Sequence, residues 1–204
     1  ILHPSPQAYS AFMGDVQLMS GALTCVLMLA APWLFKKLGW AGTLGVTPKS
    51  AMVLGWAFFG CSIWAAKAGF LVQVSPWLPV LVWGGSILYV IERAAKFSLF
   101  KPAEEMVYIT LDDESRTKGK AAVDVLGAQV GKTGGSFMQQ GLLLWCGTIV
   151  AALPALMAAH TLIVALWLWA VKRLDVMHGA ELERMHAPED KEEGDADAVG
   201  IAAA

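Results

Sequence analysis

Between Ala121 and Ala152 the sequence AAVDVLGAQVGKTGGSFMQQGLLLWCGTIVAA reads as a membrane-crossing helix, yet it carries Asp124, Gln129, Lys132, Gln139 and Gln140. Insertion of Lys or Asp at the centre of such a helix costs roughly 2.5–3.5 kcal/mol, so residues of this kind face a bundle interior or a water-filled path. An ammonium with three donors binds a phosphate as a point charge, and an aspartate can meet a cation or carry a proton. On a wheel of 100° per residue, Asp124, Ala128, Gly131, Lys132, Gly135, Ser136 and Gln139 fall on one arc. Leu126, Val130, Phe137 and Leu144 fall opposite. Gly127, Gly131 and Gly135 form small-xxx-small steps that admit a close neighbour. Lys132 lies too deep for easy snorkelling. Asp124, two turns earlier and about 12 Å along the axis, is too far for a direct pair. A counter-charge from elsewhere, or water, is expected beside Lys132. Lys132, Asp124, Gln139 and the more distant Lys96 are the candidate substrate-binding residues.

A second charged group interrupts an apolar run: Glu92, Arg93 and Lys96, with Glu92 and Lys96 at i,i+4 spacing for an ion pair. With Glu105 they suit a pore mouth or gate; an interfacial pair reaching toward headgroups fits the spacing equally. The hydrophilic stretch 101–120 (KPAEEMVYITLDDESRTKGK) reads either as a solvated linker or as part of that gate, and Asp112 or Asp113 can cap the helix that follows. Gly131-Lys132-Thr133 is not a phosphate-binding loop. The pattern G-x-x-x-x-G-K-[ST] requires glycine where Leu126 stands, and it works from a strand–loop–helix turn that this apolar segment does not offer. His160, alone in an apolar run, suits packing better than proton relay. Cys25, Cys61 and Cys146 have neither pairing nor metal spacing, and no cofactor is called for.

These residues need apolar elements to hold them. The chain of 204 residues is 56% hydrophobic and 16% charged, with net charge −2. Its mean hydropathy is +0.54. Soluble domains average about 25% charged residues, so the class is an all-α membrane protein, and nothing points to nucleic acid. Residues 1–10 read as a loop and 11–175 as a bundle of about five transmembrane helices: about 11–35, 51–70, 76–99, 121–149 and 154–171. Residues 176–204 read as an acidic, mostly disordered tail. Thr47 and Pro48 suit the cap and first turn of the second span. The segments before Ala11, between Phe70 and Trp77 and between Gly147 and Pro154 hold no Lys or Arg. The alternate ones hold Lys36, Lys37 and Lys49, then Lys101, Arg116, Lys118 and Lys120, then Lys172 and Arg173. That alternation is the positive-inside pattern for five spans. The chain opens without Met or a charged leader, and it is read as a piece of something longer.

One block carries a resemblance: Ala94-Ala95-Lys96-Phe97-Ser98-Leu99-Phe100-Lys101-Pro102, Glu105-Met106-Val107-Tyr108-Ile109, Leu111-Asp112, Lys118–Val125, Gly131-Lys132-Thr133-Gly134-Gly135 and Gln139-Gln140, with Pro4-Ser5-Pro6, Tyr9-Ser10, Phe12–Asp15, Gly39-Trp40 and Thr47-Pro48 upstream. In these motifs the chain resembles the ATP/ADP translocases of plastids and intracellular bacteria, nearest the plastid branch, over about residues 4–175. Lys101 and Glu104 depart from it, standing where the family often has an acid and a lysine. The resemblance implies the C-terminal bundle of a twelve-span, major-facilitator-like antiporter that exchanges ATP for ADP and phosphate across a plastid envelope, or a bacterial inner membrane. The N-terminal bundle would be the partner, and no covalent chemistry would occur. It also implies that Lys132 matches a lysine the family needs. A proton-coupled nucleotide symporter of the same fold, with Asp124 as one possible proton carrier, and a non-transporting membrane subunit are the alternatives.

Overall fold

A computed structural model describes residues 5–70, 77–109 and 111–202, with side chains through residue 180. Helix α1 runs Pro6–Leu44. Ser5 caps it, its hydroxyl accepting from the Ala8 N–H at 3.1 Å, and Pro6 occupies the first turn. The helix therefore begins inside the segment read as a loop, because Ser5-Pro6 is a start signal that outweighs the short polar stretch behind it. Gly39, at φ 72° and ψ 178°, breaks α1 before its last turn, in a conformation open to a residue without Cβ.

Helix α2 spans Val46–Lys67. Its N-cap is Gly45 rather than Thr47, which lies inside the first turn with Pro48. The Thr47 hydroxyl is buried without a hydrogen-bond partner among the described residues. Helix α3 (Trp77–Ala95) passes through a π-helical segment, Lys96–Phe100, into α4 (Lys101–Ile109). Helix α5 (Asp113–Ala121) likewise passes through a π segment, Ala122–Gly127, into α6 (Ala128–Cys146). Gly147, at φ 76°, turns the chain, and Thr148 caps α7 (Ile149–Ala202) by accepting from the Ala151 N–H. The last helix thus starts ahead of Pro154. It also continues through the tail read as mostly disordered, whose Ala, Glu, Lys and Met are strong helix formers. Residues 71–76 and the first four lie outside the described residues.

Four of these segments are long and apolar enough to cross a membrane: Pro6–Leu44, Val46–Lys67, Trp77–Ile109 and Ile149–Ala180. The fifth expected span falls on the 19-residue helix α6, about 28 Å long at 1.5 Å per residue but less apolar than those four. Its lysine and glutamines keep its apolarity below that of the other four.

Helices α1 and α3 pack together, with Phe12 edge-on to Trp83 at 5.2 Å, and α2 packs along α7. The helices touch through small residues: Ala31, Ala51, Gly55, Ala65, Ala94, Ala95, Ala103 and Ala152 are buried, with Ser20, Ser62 and Ser98. The Ser62 and Ser98 hydroxyls each donate to the carbonyl four residues back, at 2.8 and 2.6 Å, and so are satisfied inside their own helices. Many large residues turn outward, among them Leu29, Trp33, Leu144 and Trp145, while Leu44 and Val171 form a buried cluster with Ala103. An apolar exterior over a small-residue interior is the inverse of a soluble domain and suits lipid as the surrounding solvent.

The α2–α7 contact is built around His160. Its Nε2 lies 3.0 Å from the Ala51 carbonyl oxygen, and its ring fills the notch left by Gly55, where a Cβ would collide with the imidazole. Trp56 donates to Thr161 across the same contact at 2.9 Å. His160 therefore has a structural partner on the neighbouring helix.

Candidate functional site

Beyond the π segment Ala122–Gly127, the helix holding the sequence-predicted residues stands apart from the bundle. None of the residues of α5, of that π segment or of α6 is buried. No neighbouring atom lies within 4 Å of where a Cβ would sit on Gly131, Gly134 or Gly135, so no described helix uses the small-residue steps. Lys132 is exposed on this helix, in a groove with Thr133, Ser136, Phe137 and Gln140. Among the described residues no carboxylate pairs with it, as the 12 Å estimate to Asp124 requires. The groove takes Gln140 rather than Gln139, because the spacing 132, 133, 136, 137, 140 follows one face of a straight helix.

Asp124 leaves that face. It sits inside a π segment, where i→i+5 pairing widens the turn. One residue's worth of extra winding shifts phase by about 100°, so a uniform wheel drawn across this segment misplaces its first half. Asp124 Oδ1 instead accepts from Lys101 Nζ at 2.5 Å, across 23 residues of sequence. Lys101 Nζ also lies 2.8 Å from Glu104 Oε2, a charge contact not aligned as a hydrogen bond, since that oxygen is buried without one. Lys120 at the end of α5 pairs with Glu105 on α4 at 2.5 Å. The hydrogen bond to Glu105 holds the Lys120 ammonium above its ordinary range. Arg116 Nε donates to the Tyr108 carbonyl at 2.9 Å, closing the C-terminal end of α4.

The stretch 101–120 is thus neither a loose linker nor a lone charge cluster. It is two short helices tied by ion pairs, with Asp112 as the N-cap of α5, accepting from the Ser115 N–H at 3.0 Å. Those backbone hydrogen bonds hold the Asp112 carboxyl below its usual range. Of the residues read as gate or site, Glu105 and Asp124 join this network, whereas Lys101, Glu104 and Lys120 enter it unforeseen. Their only sequence signal was charge at the mouth of two spans. Which charge meets which depends on how two helices separated by a turn come together.

The expected Glu92–Lys96 pair does not form. Lys96 opens the π segment Lys96–Phe100, which disturbs the i,i+4 stacking, and its ammonium lies 6.0 Å from the Phe97 ring centre. Arg93 donates to the Tyr89 hydroxyl at 2.7 Å and lies over the Tyr89 and Phe97 rings. Glu92 is directed instead toward Ser50 on α2, with Oε1 buried and without a hydrogen bond. The structure therefore divides the sequence-predicted residues into three places: Lys132 and Gln139 on α6, Asp124 and Glu105 in the ion-pair network, and Glu92, Arg93 and Lys96 on α3 and its π segment.

Membrane-length apolar helices, an interior rich in small residues and a lysine without a carboxylate partner among the described residues define a multi-pass, all-α membrane protein. The profile of the TLC ATP/ADP transporter family matches residues 1–178, and the chain belongs to that family. It is similar to the plastidic ATP/ADP-transporter of Solanum tuberosum, 37% identical over 174 residues, which are 84% of this chain and 28% of that protein. It is also similar to the chloroplastic ADP,ATP carrier protein 2 of Arabidopsis thaliana, 38% identical over 188 residues, 89% of this chain and 30% of the relative. ADP,ATP carrier protein 1 of Chlamydia trachomatis is 38% identical over 175 residues, 84% of this chain and 33% of the relative. The chain therefore spans about a third or less of the length of these relatives. No solved structure matches it.

Proposed function

We propose that the chain forms the C-terminal bundle of an ATP/ADP antiporter, in a plastid envelope or bacterial membrane, and that Lys132 contacts the nucleotide phosphates. The observation that carries this reading is Lys132 itself: a cation on a membrane-length helix, without a carboxylate partner among the described residues, in a groove with Thr133, Ser136 and Gln140. An uncompensated ammonium at that depth is costly unless an anion or water meets it. A nucleotide di- or triphosphate supplies that anion, and the hydroxyls and amide beside the lysine can accept or donate to its oxygens. The names of the similar carriers support ATP and ADP as the substrates. The work is binding and translocation with no bond made or broken, so the chain is not an enzyme. The N-terminal bundle of the same protein would cover the open faces of α6, which places the substrate between two bundles near the midplane.

The test is nucleotide exchange in vesicles reconstituted with the complete transporter, comparing ATP uptake with and without ADP inside. Uptake that requires internal nucleotide supports antiport. Uptake driven by a proton gradient alone would assign the same fold to symport. Lys132→Gln is expected to reduce exchange to background while the protein still inserts. Lys132→Arg is expected to retain little, since a planar guanidinium differs in bulk and donor geometry from a compact ammonium. Wild-type exchange in Lys132→Gln would place the phosphate site elsewhere.

A further inference from the structure

The described part of the bundle has a packed side and an exposed side, joined at one end by polar contacts. Lys101 belongs to the packed side. The carbonyl of Ala103, two residues on, accepts from Trp40 Nε1 of α1 at 2.8 Å, and Ala103 is fully buried. Phe100, immediately before Lys101, packs edge-on against Trp167 of α7 at 5.1 Å. Asp124 belongs to the exposed side, a continuous arm from Asp113 to Cys146 without a buried residue within this chain, its open faces those that the proposed N-terminal bundle would cover. The arm is joined to the rest at its far end by the Gly147 turn into α7. At its near end the joints are polar: Lys101–Asp124, Lys120–Glu105 and the Arg116 bonds to the end of α4. A joint made of charge pairs that are each about a third to a half exposed exchanges for water at little cost, unlike a packed apolar seam, and so it can open and reclose. Each side also carries a π segment at the joint: Lys96–Phe100 ends at Lys101, and Ala122–Gly127 contains Asp124. Such wide turns are places where a helix changes register at low cost.

We infer that Lys101 is a positioning residue for transport: its pair with Asp124 latches the arm that presents Lys132, and the latch opens and recloses as substrate passes. The inference rests on the transport reading above, but the latch has a readout that needs no transport. Glu104 and Lys120 are the other charges facing this pair. Glu104 lies on Lys101's own helix, and Lys120 lies on the arm.

The experiment uses the complete transporter in a background where Cys25, Cys61 and Cys146 are replaced, with one new cysteine at Ser136 beside Lys132. A membrane-impermeant maleimide is applied from the side of residues 101–120. Lys101→Gln should raise the alkylation rate severalfold and lower maximal exchange with little change in KM, because Lys101 does not touch substrate. Lys101→Arg should behave as the parent. The swapped pair Lys101→Asp with Asp124→Lys should bring alkylation back toward the parent rate. Alkylation unchanged in Lys101→Gln, or a raised KM with unchanged alkylation, would overturn the latch. If the swap restores alkylation while the parent exchanges no nucleotide, the latch is supported and the transport reading fails on its own.

Discussion

Gly55 and His160 show how one absent methyl group sets a helix contact. An alanine at an exposed helical site gains about 1 kcal/mol over glycine. At Gly55 the added Cβ meets the imidazole instead, and the ring must leave the Ala51 carbonyl, forfeiting a hydrogen bond worth about 0.5–1.5 kcal/mol together with its packing. Gly55→Ala is therefore expected to lower the melting temperature in detergent, and Gly55→Leu to lower it further. His160→Ala should reverse the penalty of Gly55→Ala in a double-mutant cycle; additive effects would mean that the two residues do not meet. Asp112 works on the same scale. Its carboxyl titrates below the ordinary 3.8 because the Ser115 backbone N–H donates to it. A depressed folded-state value contributes stability that is fully present above 3.8 and is lost as pH falls through the folded value. The protection of the Ser115 amide, taken relative to the intrinsic exchange rate at each pH, should hold at neutral pH and fall in acid below that value, and Asp112→Ala should remove that loss of protection.

At the scale of the element, α6 is a helix whose pattern makes sense only with neighbours. Leu144 and Trp145 turn outward, while Lys132, Ser136 and Gln140 line one groove together with Phe137. A helix with both an apolar and a polar stripe needs lipid on one side and water or protein on the other. Replacing Trp145 by Ala, outside the groove, should leave nucleotide exchange within about twofold of the parent, because substitution of an exposed residue away from caps and buried contacts shifts energies by about 0.5 kcal/mol. Lys132→Gln should abolish exchange. Equal losses in the two variants, in the reconstituted assay, would show that α6 does not present a distinct substrate face.

At the scale of the whole molecule, Trp40 meets Ala103 and His178 at the end of the bundle that carries the basic segments, while Ile149, just past the Gly147 turn, lies with Met13 and Leu78 at the other end. Single cysteines at Lys118 and Thr148 should react with an impermeant reagent from opposite sides of the membrane. Labelling of both from the same side would break the five-span reading, and with it the crossing of α6, the helix whose hydropathy is lowest among the five.

Composition and apolar run length were enough to decide the class, an all-α membrane protein. That class follows from the cost of leaving backbone polar groups unsatisfied in lipid, which any 20-residue apolar stretch must meet by forming a helix. The separation of Lys132 from Asp124 was legible too, since it follows from rise per residue. The motifs of residues 94–140 likewise placed the chain in its family. Helix ends were less legible: Ser5 and Thr148 start helices earlier than the apolar runs do, because a single capping side chain decides an end while hydropathy averages over a window. The partners of the charges belonged to the tertiary structure alone. Two π segments rotate Asp124 and Lys96 away from where a uniform 100° step puts them, and a turn between α4 and α5 brings Lys101 to Asp124 and Lys120 to Glu105. A charge pair between helices depends on register and approach, which no spacing within either helix encodes.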